Sequence, residues 1–272
     1  MVASRVRFWT DLTLFQKWFV IIFALGSLFS FFSPLFIGGT VKELFSFTAI
    51  IGLVCALSGV LTSIYQARGE VIVYTFILIN TITYAWIAYT SDLYGQVIQN
   101  LFLLLPIQIY GLFAWKKSMA KSKNNQIEIK VFSAKDWLFT LISILVFWGG
   151  YYVFLNYLPQ IIQAIFGGKL IAPDPSIGMD SLTTVLTVTA MFLTSKRYVE
   201  QWWFWILCNI GVVLFIEELF NSDLTPASLV GDLSGAINWL QYGIGAVYGF
   251  YLWKKMYRER NNTPTEVKSI QG

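Results

Sequence analysis

Charged side chains are scarce. Asp, Glu, Lys and Arg together make up 12% of the chain, about half the share of an ordinary soluble domain. A chain of 272 residues built this way cannot cover its helices with water-compatible faces, so the composition predicts an integral membrane protein. Histidine is absent, which excludes histidine-based triads, histidine-ligated zinc and histidine proton relays. The only two cysteines, Cys55 and Cys208, sit inside apolar runs. With no disulfide framework and no metal spacing around them, they are packing residues. No phosphate loop of the GxxxxGK[ST] type is present, so ATP hydrolysis by that route is excluded. The spans contain no nucleophile–base constellation and no metal ligand set, so the expectation is no enzyme, no cofactor and no metal. The net charge of +4 is dispersed in small basic clusters, and none of them forms a nucleic-acid face.

What is present is apolar and aromatic, 56% and 18% of the residues. Six charge-free intervals, such as Lys17 to Lys42 and Asp136 to Lys169, hold 21 to 32 residues each, enough to cross a bilayer as helix. Two shorter ones, Asp180 to Lys196 and Glu200 to Glu217, hold 15 and 16. They still span if their end charges snorkel. The pattern predicts eight helices, roughly 14–37, 44–66, 70–90, 93–117, 136–166, 180–197, 201–220 and 228–256. The first is too long and too aromatic for a leader and is read as a retained helix, with an interfacial anchor as the other reading. With a cytoplasmic N-terminus, 17 of the 19 Lys and Arg residues fall in inner segments, leaving only Lys42 and Lys169 outside. The positive-inside rule therefore puts both termini in the cytoplasm. The outer segments collect Asp92, Glu217, Glu218 and Asp223. The expected location is the plasma or inner membrane, with the lipid bilayer as partner.

The fourth and eighth helices share a pattern. Asn100, Tyr110-Gly111, Trp115 and Lys116-Lys117 return as Asn238, Tyr248-Gly249, Trp253 and Lys254-Lys255, every position shifted by 138. Tryptophan and lysine end many membrane helices at an interface, which explains the Trp-Lys-Lys part. It does not explain the asparagine or the Tyr-Gly pair, so an internal repeat is inferred. Two units in the same orientation need one helix between them. The division is then 1–42 for the N-terminal helix and its flanks and 43–117 for a first three-helix repeat. A basic loop and linker helix follow at 118–168, a second three-helix repeat at 169–257 and a cytoplasmic tail at 258–272. Parallel repeats about an axis along the membrane normal are a transporter architecture, with the substrate at the repeat interface.

Amides and indoles carry the remaining information. Trp202, Trp205 and Asn209 stand at i, i+3 and i+7, on one face of the seventh helix. Indoles stack on a flat ring or hold a cation, and an amide reads the ring's edge. An interfacial aromatic belt also accounts for Trp202 and Trp203, but not for Asn209 two turns deeper. The fourth helix carries Gln96, Gln99, Asn100 and Gln108, with Pro106 placed to kink it and open space. Asn80, Asn238 and Gln241 add to the inventory. A buried amide bonds across helices or lines a wet cavity. The predicted substrate set is Asn80, Gln96, Asn100, Gln108, Trp202, Trp205, Asn209 and Asn238. No charge lies at the centre of a span, where ion-coupled carriers place one, so a facilitator moving a small solute down its gradient is expected.

The run Ser195-Lys196-Arg197-Tyr198-Val199-Glu200 followed by Trp202-x-x-Trp205-x-x-x-Asn209 resembles the Pnu-type vitamin transporters of the PnuC family. Met179-Asp180-Ser181, Val185-Leu186, Ala190-Met191 and the Tyr110-Gly111 to Trp115 segment are similar too. The resemblance covers roughly residues 44–255 and leaves the first helix outside. It implies an all-α integral membrane protein with a SWEET-like 3+1+3 bundle of parallel repeats plus the extra N-terminal helix. It implies facilitated diffusion of nicotinamide riboside without ion or ATP coupling. Accumulation then comes from phosphorylation by a cytoplasmic kinase, and a homotrimer is the family's assembly. Carriers of thiamine, riboflavin or a deoxynucleoside share the fold and are the alternative. A substrate-binding subunit of an energised vitamin importer is the further one.

Overall fold

The computed structural model describes residues 9–38, 40–90, 94–122, 127–167, 170–171, 177–209 and 226–262, with backbone alone at 37, 43, 226–236, 238 and 262. Glu217, Glu218, Asp223, Asp92 and Lys169 lie outside the described residues, as does the Asn238 side chain. Among the described residues the architecture is all-helical. Apart from two short turns, Ser33–Ile37 and Val41–Leu44, the helices are α1 (Leu14–Phe32), α2 (Phe47–Arg68), α3 (Val73–Thr90), α4 (Tyr94–Lys121), α5 (Ala134–Phe166), α6 (Ile177–Lys196), α7 (Gln201–Cys208) and α8 (Pro226–Asn262). Five of them, α1, α2, α4, α5 and α6, are long and apolar enough to cross a membrane. Large apolar side chains cover the outer surface, among them Leu25, Phe113, Phe139, Val146 and Val247, as a lipid-facing protein requires.

Local sequence explains the helix ends. Thr13 and Gln16 form a reciprocal capping box that starts α1, and Ser133 with Asp136 does the same for α5. In α4 the turn Gln99–Leu104 is a π-helix, with the Leu105 N–H bonded to Asn100 O. Pro106 follows, without an N–H and with a ring that would meet the carbonyl four residues back, and the widened turn absorbs that conflict.

Helices α2, α3, α4, α6, α7 and α8 close a ring. Helix α2 packs on α3 and α8, α6 packs on α7 and α4, and α3 and α7 pack on α4 and α8 respectively. Helix α5 lies against α6 outside the ring, tied by Trp148 Nε1 to Ser181 Oγ at 3.1 Å and by Tyr151 OH to Gly95 O at 3.1 Å. Helix α1 packs on α2 and α8. Its Gln16 donates to Tyr248 OH at 3.0 Å and accepts from Arg68 at 3.2 Å.

The junctions α2–α3 and α6–α7 share one hydrogen-bond pattern, offset by 128 residues. Gly69 N–H and Glu70 N–H bond to Gln66 O and Tyr65 O, while Arg197 N–H and Tyr198 N–H bond to Thr194 O and Leu193 O. Both are Schellman ends. The next three bonds, Val73 to Glu70, Tyr74 to Val71 and Thr75 to Ile72, return as Gln201 to Tyr198, Trp202 to Val199 and Trp203 to Glu200. The left-handed cap residue is glycine in one copy (Gly69, φ 68) and arginine in the other (Arg197, φ 66). A side chain is strained there. Arg197 is held by its guanidinium on Glu128 O at 3.0 Å and Ala114 O at 3.2 Å, and by a short bridge between Lys130 and Tyr198. Tyr74 and Trp202, equivalent under this offset, lie flush against Gly111 and Gly249, the glycines of the Tyr-Gly pairs.

Candidate functional site

The lysine-rich half of the ring is filled. Tyr74, Ile77, Leu104, Trp115, Met191, Trp202, Ala246 and Trp253 form one buried cluster drawn from α3, α4, α6, α7 and α8. Trp115 and Trp253 are both 0% exposed, with ring centroids 5.8 Å apart. The interfacial reading of the Trp-Lys-Lys segments is therefore corrected: the lysines point out, and both indoles point into the ring.

Beside these indoles sits an uncharged polar knot. Gln66 Nε2 donates to Thr194 Oγ1 at 3.3 Å and to Gln201 Oε1 at 3.2 Å. Trp205 Nε1 donates to the same Thr194 hydroxyl at 3.3 Å. The knot thus ties α2, α6 and α7 together with the predicted stacking indole. Asn209 stands one turn beyond Trp205. Its Nδ2 bonds to Trp205 O at 2.7 Å, while its Oδ1 is buried without a partner. Gly243 of α8 lies opposite. Trp202 is 3% exposed and lies edge-on to Trp253, so its ring is part of the packed cluster and not an open stacking face. Trp203 is 45% exposed and packs on Phe250.

Further from the lysine-rich end the ring holds amides and tyrosines. Gln108, almost fully buried, donates to Thr81 Oγ1 at 2.7 Å and leaves its Oε1 unpaired. Asn80 donates to Cys55 O at 2.8 Å and accepts from Tyr242 OH at 3.5 Å. Gln96 accepts from Tyr84 OH. Asn100 is buried and bonds back to Gln96 O at 2.8 Å. Thr184 Oγ1 of α6 donates to Gln99 Oε1 at 2.9 Å. Of the predicted set, Trp205 and Asn209 share one wall, and Asn80 and Gln96 share another with the tyrosines. Gln108 lies on the α3–α4 seam, Asn100 is turned back onto its own helix, and the Asn238 side chain is outside the described residues.

Three residues with the right chemistry are missing from that set. Gln241 is 0% exposed, and neither end of its amide has a partner. Tyr242 OH, Gln241 Nε2 and Asn80 Nδ2 converge on Gly59, within 2.6, 3.2 and 3.3 Å of where a Cβ would stand. Thr81, one turn beyond Ile77 on α3, is equivalent to Asn209 under the 128-residue offset. Gln241 was visible as a mid-span amide, whereas Tyr242 and Thr81 give no sequence signal. A crevice of about 660 Å³ beside Asn209 is lined by Phe15, Trp239, Leu240 and Val247. Asn209 and Gly243 themselves line it.

A ring of apolar helices, sealed at one end by aromatics and lined by uncharged amides, defines a multi-pass membrane transporter. Residues 49–255 match the model of the nicotinamide mononucleotide transporter family, and the chain belongs to that family. It is 30% identical to the nicotinamide riboside transporter PnuC of Haemophilus influenzae, over 78% of this chain and 82% of that one. It is 27% identical to the PnuC of Neisseria mucosa, over 76% and 73% of the two chains. A crystal structure of the vitamin B3 transporter PnuC superposes with a TM-score of 0.65 at 24% identity, covering 93% of this chain and 95% of the other. That likeness carries the fold.

Proposed function

We propose that the chain is a uniporter for nicotinamide riboside, letting it equilibrate across the membrane while a cytoplasmic kinase traps it as the charged nucleotide. The observation that carries the reading is the uncharged character of the ring. Indole, amide, hydroxyl and phenol groups line it, and the central turns of its six helices carry no Asp, Glu, Lys or Arg. Such a wall suits a flat amide-bearing ring with a hydroxylated sugar, and it offers no group to carry a coupled proton or sodium ion. The names of the relatives support the substrate. The architecture proposed is two three-helix units, 43–117 and 169–257, joined by 118–168, alternating about a two-fold axis; the recurring hydrogen bonds support it. The lysine-rich end is the cytoplasmic one, both termini lie there, and the assembly is a homotrimer.

The test is uptake into liposomes holding the purified protein and no kinase. Labelled nicotinamide riboside should reach, and not exceed, the outside concentration, with or without a proton or sodium gradient. Unlabelled nicotinamide riboside should compete better than thiamine, riboflavin or thymidine. Accumulation driven by an imposed gradient refutes the uniport mechanism, and better competition by another vitamin refutes the substrate.

A further inference from the structure

The two most buried indoles of the chain make the same bond in opposite directions. Trp115 of α4 donates its N–H to Thr194 O of α6 at 2.8 Å. Trp253 of α8 donates to Gln66 O of α2 at 3.0 Å. Each bond crosses from one three-helix unit to the other. Thr194 and Gln66 occupy the same place in the two Schellman ends, and Trp115 and Trp253 the same place in the two Tyr-Gly-x-x-x-Trp segments. The rings meet between the units, each edge-on to its own unit's Tyr74 or Trp202. Gly111 and Gly249 leave no room beneath those two rings: a Cβ would stand 2.3 Å from an atom of either.

We propose that Trp115 and Trp253 form a crossed clasp that is the gate at the lysine-rich end, resting on the alternating-access reading above. Opening that end separates α4 from α6 and α8 from α2, so it must break both indole bonds together. Symmetry makes the two halves open as one, because neither unit can leave while the other unit's indole still holds it. Thr194 links the gate to the substrate wall: its carbonyl receives Trp115, and its hydroxyl receives Trp205 and Gln66. A solute that draws the Trp205 indole away from Thr194 loosens the residue that holds the clasp.

The clasp is tested without substrate, so the result is independent of which solute is carried. In a background of Cys55→Ser and Cys208→Ser, Ala246→Cys supplies a thiol at a buried position of the clasp's cluster. Phenylalanine keeps an aromatic ring but removes the N–H donor together with the pyrrole half of the indole, so each variant is compared only where it elutes and unfolds like the parent. Trp115→Phe or Trp253→Phe alone should speed maleimide labelling of purified protein modestly. The double variant should speed it about tenfold or more, since each lost bond is worth up to about that factor. Trp203→Phe, at an exposed indole outside the clasp, should leave the rate unchanged. Labelling that stays slow in a double variant that elutes and unfolds like the parent overturns the gate. If that labelling rises while Thr194→Val leaves substrate affinity unchanged, the gate stands and its link to the substrate wall falls.

Discussion

At the scale of single residues, Trp205 and Asn209 are the positions where an unfilled bonding capacity meets a flat apolar surface. The Trp205 ring is half-buried with its N–H fixed, so its orientation is set before any ligand arrives. Replacing it with alanine should weaken nicotinamide riboside binding by about 5- to 150-fold, the range of ~1–3 kcal/mol found for base–aromatic stacking. Asn209→Leu should cause a loss of similar size, because the substrate edge is then left unpaired. Trp203→Phe should change affinity little. A binding titration of the three variants, each checked by elution, decides it. Loss of binding in Trp203→Phe with retention in Trp205→Ala would put the site on another face of α7. The spacing made this face legible, yet it could not tell that Trp202 is spent on packing. A helical wheel assigns direction but not the neighbour, and the neighbour here is a glycine 47 residues on.

At the scale of elements, the Tyr-Gly pairs are contact points. Gly249→Ala puts a methyl group within 2.3 to 2.6 Å of three Trp202 ring atoms. The α7–α8 seam must spread, which costs about 1–3 kcal/mol. The thermal unfolding midpoint in detergent should drop, and Gly111→Ala, against Tyr74, should do the same. An unchanged midpoint in both would show that these seams are loose. The turn before α7 holds the other element-scale test. Burial pushes the Glu200 carboxyl above the usual carboxylate range, and the nearby Asp136 charge adds to this. The N–H groups of Phe132 and Glu200, and the Lys254 ammonium, act against it. An acid with a raised folded-state titration subtracts stability above that range and nothing below its unfolded one. Glu200→Gln should therefore raise the midpoint at about pH 8. The gain should shrink as the pH falls and vanish near about pH 4. A gain that grows toward low pH contradicts the assigned burial.

At the scale of the whole molecule, the distribution of basic residues fixes a direction. If the lysine-rich end is cytoplasmic, cysteines introduced at positions 122 and 268 should resist an impermeant thiol reagent in intact cells and react after permeabilisation. Labelling of either in intact cells reverses the orientation. The N-terminal helix breaks the symmetry of the rest. Tyr110 takes Lys196 directly at 2.6 Å, whereas between the equivalent Tyr248 and Arg68 the Gln16 amide is inserted.

Composition and charge spacing by themselves determined that this chain is a bundle of membrane helices. Hydrocarbon admits only long apolar segments with their backbone bonds satisfied, and that demand is written residue by residue. The 138-residue echo between the fourth and eighth helices was equally legible, because identical side chains were kept there. The 128-residue correspondence of the α2–α3 and α6–α7 junctions was not. Gly69 matches Arg197, Tyr74 matches Trp202 and Thr81 matches Asn209, so only the backbone bonds are alike. Which indoles face lipid, which face each other and which amides lack partners depends on atoms from helices distant in sequence. Only the tertiary structure decides those contacts, since side-chain direction on a membrane helix is set by whatever packs against it.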